Sequence, residues 1–336
     1  MRLSLLMLLL GCGDKEKDSA VGTDTDTTGD TDTDTDTDTT GSDEDPATVV
    51  LNGICDLADD YGGFVVEAYE DYSIVSGSIA DGVVPITVLE VIGSEGDCEV
   101  KRRNNPFCDP ACESGDTCDF DGECITYPSN QDLFVVDVLG LPKPVQMEAV
   151  VPGNTYFNTS LPHPAFEGGE LIELQMPGGT YGPVILFGVG VEELTASNKE
   201  EWDDKVWRVE SGNDLVVSWE PPTGEVVRSE VTLRINIDQH GTSPSSVYCT
   251  FEDDGEGVVP ASVVQQLVEV GVSGFPSGVL KRRTADKTDA GDGCTDFEIS
   301  SRREVGLVDV IGYTPCISSS DCPDGQTCNL ELQICE

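Results

Sequence analysis

Apolar and polar side chains alternate strictly over residues 231–237: Val231, Leu233, Ile235 and Ile237 against Thr232, Arg234 and Asn236. A period of two puts one set on a buried face and the other in water, which is a half-buried strand. The same alternation runs through Val145, Met147, Ala149 and Val151, and through Leu215, Val217 and Trp219 before the Pro221-Pro222 break. Val247, Cys249 and Phe251 repeat it and place Cys249 on an apolar face. Nearer the start, Thr48–Ile54, Gly63–Tyr69, Tyr72–Ser78 and Val83–Ile92 are rich in Val, Ile and Tyr and separated by Gly and Asp turns, again strand signals. Only Pro260–Val270 carries helical spacing, with Val263, Val264, Leu267 and Val268 on one stripe and Pro260 suited to the first turn. The pattern predicts a mainly β protein. Residues 47–104 read as a small β-domain, and 131–312 as an immunoglobulin-like or jelly-roll β-sandwich, either single or split near residue 195.

The first residues are different in kind. Met1 and Arg2 precede an apolar run from Leu3 to Leu10, the length of a signal-peptide core and far short of the roughly 20 residues that span a bilayer. Leu9, Leu10, Gly11 and Cys12 resemble a bacterial lipobox. That resemblance implies a signal peptide over 1–11, cleavage before Cys12, and a diacylglycerol thioether on its sulfur, usually with acylation of the new amino group. Several acyl chains anchor durably, at about 0.8 kcal/mol per buried methylene. Gly13 stands where an aspartate usually marks inner-membrane retention, so the outer membrane or cell surface is the expected location. Residues 12–46 form the acylated cysteine and an acidic tether centred on alternating Thr and Asp from Thr31 to Thr39. With almost nothing apolar to bury, such a segment is expected to be disordered. A flexible chain of about 33 residues averages about 30 Å end to end and reaches about 110 Å when taut.

Thirteen cysteines point to an oxidising compartment. The zinc alternative wants Cys-x2-Cys pairs, which do not occur, or histidines, of which there are only His163 and His240. Setting Cys12 aside leaves an even number. These fall along the chain as Cys55 with Cys98; Cys108, Cys112, Cys118 and Cys124; Cys249 with Cys294; and Cys316, Cys322, Cys328 and Cys335. Pairing within those groups is the expectation, first to third and second to fourth inside each four-cysteine cluster. The clusters define modules at 105–128 and 314–336, which share Cys-x5-Cys and the ending Gly-x-Thr-Cys. Pieces of about 20 residues cannot build a core, so disulfides worth about 2 to 4 kcal/mol each must hold them.

These modules resemble the short four-cysteine repeats of cysteine-rich surface lipoproteins from myxobacteria and their relatives, and more distantly the Dickkopf-type cysteine-rich motif. The layout of lipobox, Asp-Thr tether, Cys-rich knot, β-domain and terminal knot is similar to that lipoprotein group over most of the chain. The group carries no activity that transfers residue by residue.

The formal net charge is −46, from 64 acids against 18 Lys and Arg, which disfavours nucleic acid because phosphate neutralisation needs cations. Residues 14–45 hold only 13 of the acids, so the folded part is itself acidic. Self-repulsion at this density favours a saline habitat or weak Ca2+ association, either of which would appear as a melting temperature that rises with NaCl or CaCl2. The basic runs Lys101-Arg102-Arg103 and Lys281-Arg282-Arg283 are expected to meet acidic groups of their own chain or an anionic partner.

No nucleophile elbow, His-Glu-x-x-His, phosphate loop or dinucleotide fingerprint is present. Asp238 and His240 could orient a base for Ser243 or Ser245 only by convergence in the fold. Glu192-Glu193, Glu200-Glu201 and Asp253-Asp254 read as solvated faces or turns. Trp202 and Trp207 are a candidate carbohydrate platform, set against burial in the core. The sequence therefore predicts a non-enzymatic, membrane-anchored protein for binding, adhesion or envelope structure, with an unidentified protein or polysaccharide ligand. The rivals are a secreted hydrolase using paired carboxylates and a protease inhibitor presenting its Cys-rich loops.

Overall fold

The computed structural model describes residues 44–195, 206–224, 228–237, 244–305 and 307–336. Cys12, the Asp-Thr tether, Trp202, Glu200-Glu201, Asp238, His240 and Ser243 lie outside them. The chain is mainly β. Its strands are β1 (Asp60–Ala68), β2 (Ser73–Ile79), β3 (Leu89–Glu95), β4 (Cys98–Arg103), β5 (Asp116–Cys118), β6 (Cys124–Thr126) and β7 (Val135–Leu139). Then follow β8 (Val145–Glu148), β9 (Tyr156–Asn158), β10 (Leu171–Met176), β11 (Val184–Val189), β12 (Val206–Val209), β13 (Leu215–Ser218), β14 (Glu230–Asn236), β15 (Ser245–Glu252) and β16 (Glu256–Val259). After helix α1 (Ala261–Val270) come β17 (Ser277–Ala290), β18 (Gly293–Val305), β19 (Leu307–Val310), β20 (Cys328–Asn329) and β21 (Ile334–Cys335).

One sheet organises the molecule: nine strands in the order β3-β4-β15-β14-β17-β18-β1-β2-β9. Its spine is the long hairpin β17–β18, paired continuously from Gly278↔Val305 to Ala290↔Gly293. The inward face of this sheet carries two cores. At one end Val231, Leu233 and Ile235 of β14, Val247 and Phe251 of β15 and Leu280 of β17 pack under α1 and the pairs β13–β16 and β12–β19. At the other, Phe64 and Val66 of β1, Val75 of β2 and Phe297 and Ile299 of β18 pack against the four-stranded sheet β11-β10-β7-β8. The question of one sandwich or two is thus resolved by a continuous sheet with two different covers.

The cover strands lock onto β17 through side chains. Thr284 Oγ1 donates to the Val189 carbonyl at 2.6 Å, and the Phe187 N–H donates to Asp286 at 3.2 Å. Helix α1 seats its Val263, Val264 and Leu267 in the first core, with Pro260 as the N-cap rather than inside the first turn. Gly93 on β3 permits that seating, because a Cβ there would collide with the Gln266 side chain, whose Nε2 donates to the Ile92 carbonyl at 2.7 Å.

Residues 47–104 are not a separate domain. β1 enters the large sheet parallel to β18, with Phe64 opposite Phe297 and Val66 opposite Ile299, while β4 joins the other side, antiparallel to β15. Consequently the expected bridges Cys55–Cys98 and Cys249–Cys294 do not form. Cys55 pairs with Cys294, 239 residues away, and Cys98 with Cys249, 151 away. Cys249 does face the core as its alternation requires, but its register partner across the ladder is Cys98. Thr48–Ile54, expected as a strand, is irregular: Gly53 donates to the Ala285 carbonyl, and Arg228 donates to the carbonyls of Pro46 and Val49. Val83–Ile92 is broken at Pro85, which opens a 3-10 turn before β3.

Both small modules are disulfide-pinned hairpins. Cys108–Cys118 with Cys112–Cys124, and Cys316–Cys328 with Cys322–Cys335, follow the first-to-third, second-to-fourth scheme. In each, the third and fourth cysteines face one another across the hairpin, Cys118↔Cys124 and Cys328↔Cys335. The terminal module is tied to the main body where the Gly274 N–H donates to the Leu332 carbonyl at 2.8 Å. The thiol triplets with metal-like proximity, Cys108/Cys112/Cys124 and Cys316/Cys322/Cys335, consist of these bridged sulfurs, so none is a thiolate ligand.

Candidate functional site

Strand parity decides where each basic run goes. In Lys281-Arg282-Arg283 the outer two point away from the core and the middle one points in. Lys281 reaches Glu67 at 2.6 Å and Glu298 at 3.1 Å, and Arg283 reaches Glu230 at 2.8 Å and Glu298 at 3.1 Å. Arg302 adds Glu67 at 3.5 Å and Glu304 at 2.8 Å, and lies 5.2 Å over the Tyr69 ring, which stacks on Tyr72. Burial, then the neighbouring Glu67, pushes the Tyr69 phenol above its usual value. Burial alone would raise Glu298, but Lys281 and Arg283 overcome it and hold the carboxyl below its usual range. The result is a charge mosaic across the open face of the sheet. The other run behaves likewise: Lys101 pairs with Glu99 and Arg102 with Glu90, each at 2.8 Å.

Arg282 turns inward and is 1% exposed. Its guanidinium contacts Asp253 at 2.7 and 3.0 Å and donates to the carbonyls of Glu193 and Glu220. Asp253 also accepts from Trp219 Nε1 at 2.8 Å and from Ser229 Oγ. The expectation that Asp253-Asp254 is a solvated turn therefore fails for Asp253, which is 4% exposed, and holds only for exposed Asp254. Next to this cluster open two clefts. One of 740 Å3 is lined by Asp97, Arg228, Glu230, Thr250, Glu252 and Asp254, and one of 380 Å3 by Asp45, Gly168, Glu192, Arg228 and Thr284. Ser229 borders both, but the carboxylate beside it is already held by Arg282 and Trp219. The carboxylate that Ser229 touches is thus one half of a buried ion pair.

The other candidates disperse. Trp207 is 6% exposed, packed in the first core with its ring over Gly278, so it cannot be a sugar platform. His163 holds Ser73 Oγ at 2.9 Å through Nδ1 and the Glu70 carbonyl at 3.0 Å through Nε2, which uses both ring nitrogens to pin a loop to the β1–β2 turn. Ser245 opens β15 fully buried. Asp296 is the one described carboxyl with a large upward shift, to about 6. Burial drives it, against the Cys55 N–H that donates to Oδ2 at 3.1 Å, and Asp60 adds repulsion. It packs against Gly63 beside the Cys55–Cys294 bridge and lines neither cleft.

Because folding raises the Asp296 pKa, the native state binds the proton more tightly than the unfolded chain, and stability falls as pH rises from about 4 to about 6. Asp296→Asn should remove this component. Urea midpoints measured across that window should decline less in the variant than in the parent, and parallel profiles would refute the assignment.

The chain matches no protein-family model and no curated protein. Among the described residues no helix is long and apolar enough to cross a membrane.

Proposed function

We propose that this is an exported lipoprotein, held to the envelope through Cys12, whose folded unit binds a macromolecule and performs no catalysis. The observation that carries the reading is the sulfur count. Every cysteine from Cys55 to Cys335 is closed into one of six intramolecular bridges, which leaves Cys12 as the one cysteine outside that framework. Six disulfides require an oxidising compartment, and the lipobox-like start supplies the route there. Support for binding over catalysis comes from the shape and chemistry of the surface. The serine that borders both clefts, Ser229, donates to Asp253, which Arg282 and Trp219 already hold, while the large sheet offers a broad polar face.

Two measurements on the protein extracted from membranes test this. The intact mass of the mature N-terminal peptide should show a lipid-modified Cys12, and the protein should retain envelope glycans or proteins without turning over generic ester or glycoside substrates. An unmodified Cys12 would overturn the anchor, and turnover without retention would overturn the binding role.

A further inference from the structure

The binding reading above names no surface, and the open face of the nine-stranded sheet supplies one. Parity and register place Tyr248 of β15 between Glu99 of β4 and Arg234 of β14. Lys101 Nζ and Arg234 Cζ each sit 5.4 Å from the Tyr248 ring centroid, so the ring organises two cations on adjoining strands. Lys101 shares its charge with Glu99. Arg234 is exposed and forms no ion pair with any described residue, unlike Lys281, Arg283 and Arg302 further along the same face. In the next row Ser246 donates to Asn236 Oδ1 at 3.2 Å, and Thr232 faces Thr250 on the other side.

We infer that this patch, resting on the binding role proposed above, docks a polysaccharide bearing uronic acids. A guanidinium that no described carboxylate neutralises, held on a strand, is a planar fork that matches a carboxylate in two parallel hydrogen bonds, which an isolated lysine cannot do. Hydroxyl and amide groups on either side suit the hydroxyls of a sugar ring. Charge complementarity also favours a sparsely charged chain over a nucleic acid. Duplex DNA presents a charge every 1.7 Å or so and needs several cations to neutralise it, whereas one carboxylate per sugar ring can be met by Arg234 with Lys101 alongside. The net −46 of the protein does not forbid this, since at physiological ionic strength charges beyond about 8 Å are screened and the local patch governs docking.

The test is retention of the full, detergent-extracted chain on immobilised polygalacturonate and alginate, with neutral dextran as the reference, at about 0.15 M salt. The expected result is retention on both uronate polymers and not on dextran. Arg234→Gln should weaken it about tenfold and Arg234→Lys by less, because charge without the fork remains. Arg208→Gln, at an exposed cation on β12, should change nothing. Melting temperatures of the variants should match the parent, because Arg234 is a surface group. No retention on either polymer, retention insensitive to Arg234→Gln, or capture of envelope proteins in place of glycans would overturn this inference while leaving the binding role standing. Turnover of an ester or glycoside with no retention of any kind would overturn both.

Discussion

Asp253→Ala is expected to destabilise the folded unit by about 3 to 5 kcal/mol, read as a fall in the urea midpoint. The carboxylate holds Arg282, Trp219 Nε1 and Ser229 Oγ together, and its removal would leave a 1% exposed guanidinium with carbonyl partners but no counter-charge. A buried ion pair contributes little relative to an apolar substitute of the same shape, whereas breaking one half is strongly destabilising. The double variant Asp253→Leu/Arg282→Met should therefore recover most of the loss. If the double variant is instead as unstable as the two single losses summed, the residues act independently and the stranded-charge account is refuted. The position matters for the architecture because Arg282 lies on β17 while its carbonyl partners Glu193 and Glu220 follow β11 and β13, so this contact ties the two halves of the cover to the spine.

Replacing Cys55 and Cys294 together by serine should cost about 3 to 5 kcal/mol, the large end of the range because the loop closed is long. The sequence separation is 239, against 12 or 13 for the bridges of the terminal module. Loss of Cys316–Cys328 should unravel its hairpin and leave the melting of the main sheet nearly unchanged, since no residue of that module belongs to either core, although Cys316 and Ile334 are buried. Thermal unfolding followed by far-UV circular dichroism separates the two outcomes. Equal effects from both pairs would mean that the module is part of the cooperative unit.

Much of the fold was legible as parity. Val231 to Ile237 and Leu215 to Trp219 face inward as their alternation demands, and the one helical stripe is α1. The same parity, carried one step further, would have found the buried cluster. Asp253, one residue past β15, is in phase with Val247, Cys249 and Phe251, and Arg282 is in phase with Leu280, so two charged residues stand at core positions. Adjacent charges in the sequence masked this, because a run such as Lys281-Arg282-Arg283 looks like a patch until it is placed on a strand that splits it between faces.

What parity cannot give is which strands are neighbours. The parallel β1–β18 pairing joins segments separated by most of the chain, and nothing local in Asp60–Ala68 distinguishes it from a strand of a small self-contained domain. That is why proximity along the chain assigned Cys55 to Cys98 and Cys249 to Cys294, and why the fold reassigns all four. The Tyr248–Arg234 patch was hidden for the same reason: each residue was visibly on a polar face, but their meeting depends on the β14–β15 register. The tryptophans illustrate the converse, since an aromatic near a charged stretch looked available while Trp207 fills the core over Gly278.

Non-reducing peptide mapping by mass spectrometry of the protein as extracted from cells bears most directly on a single sheet woven from distant parts of the chain, and on the export proposed for it. It should recover a peptide joining Cys55 to Cys294 and another joining Cys98 to Cys249, with Cys12 carrying lipid. A peptide joining Cys55 to Cys98 would contradict the shared sheet, and cysteines found as free thiols would contradict the oxidising compartment.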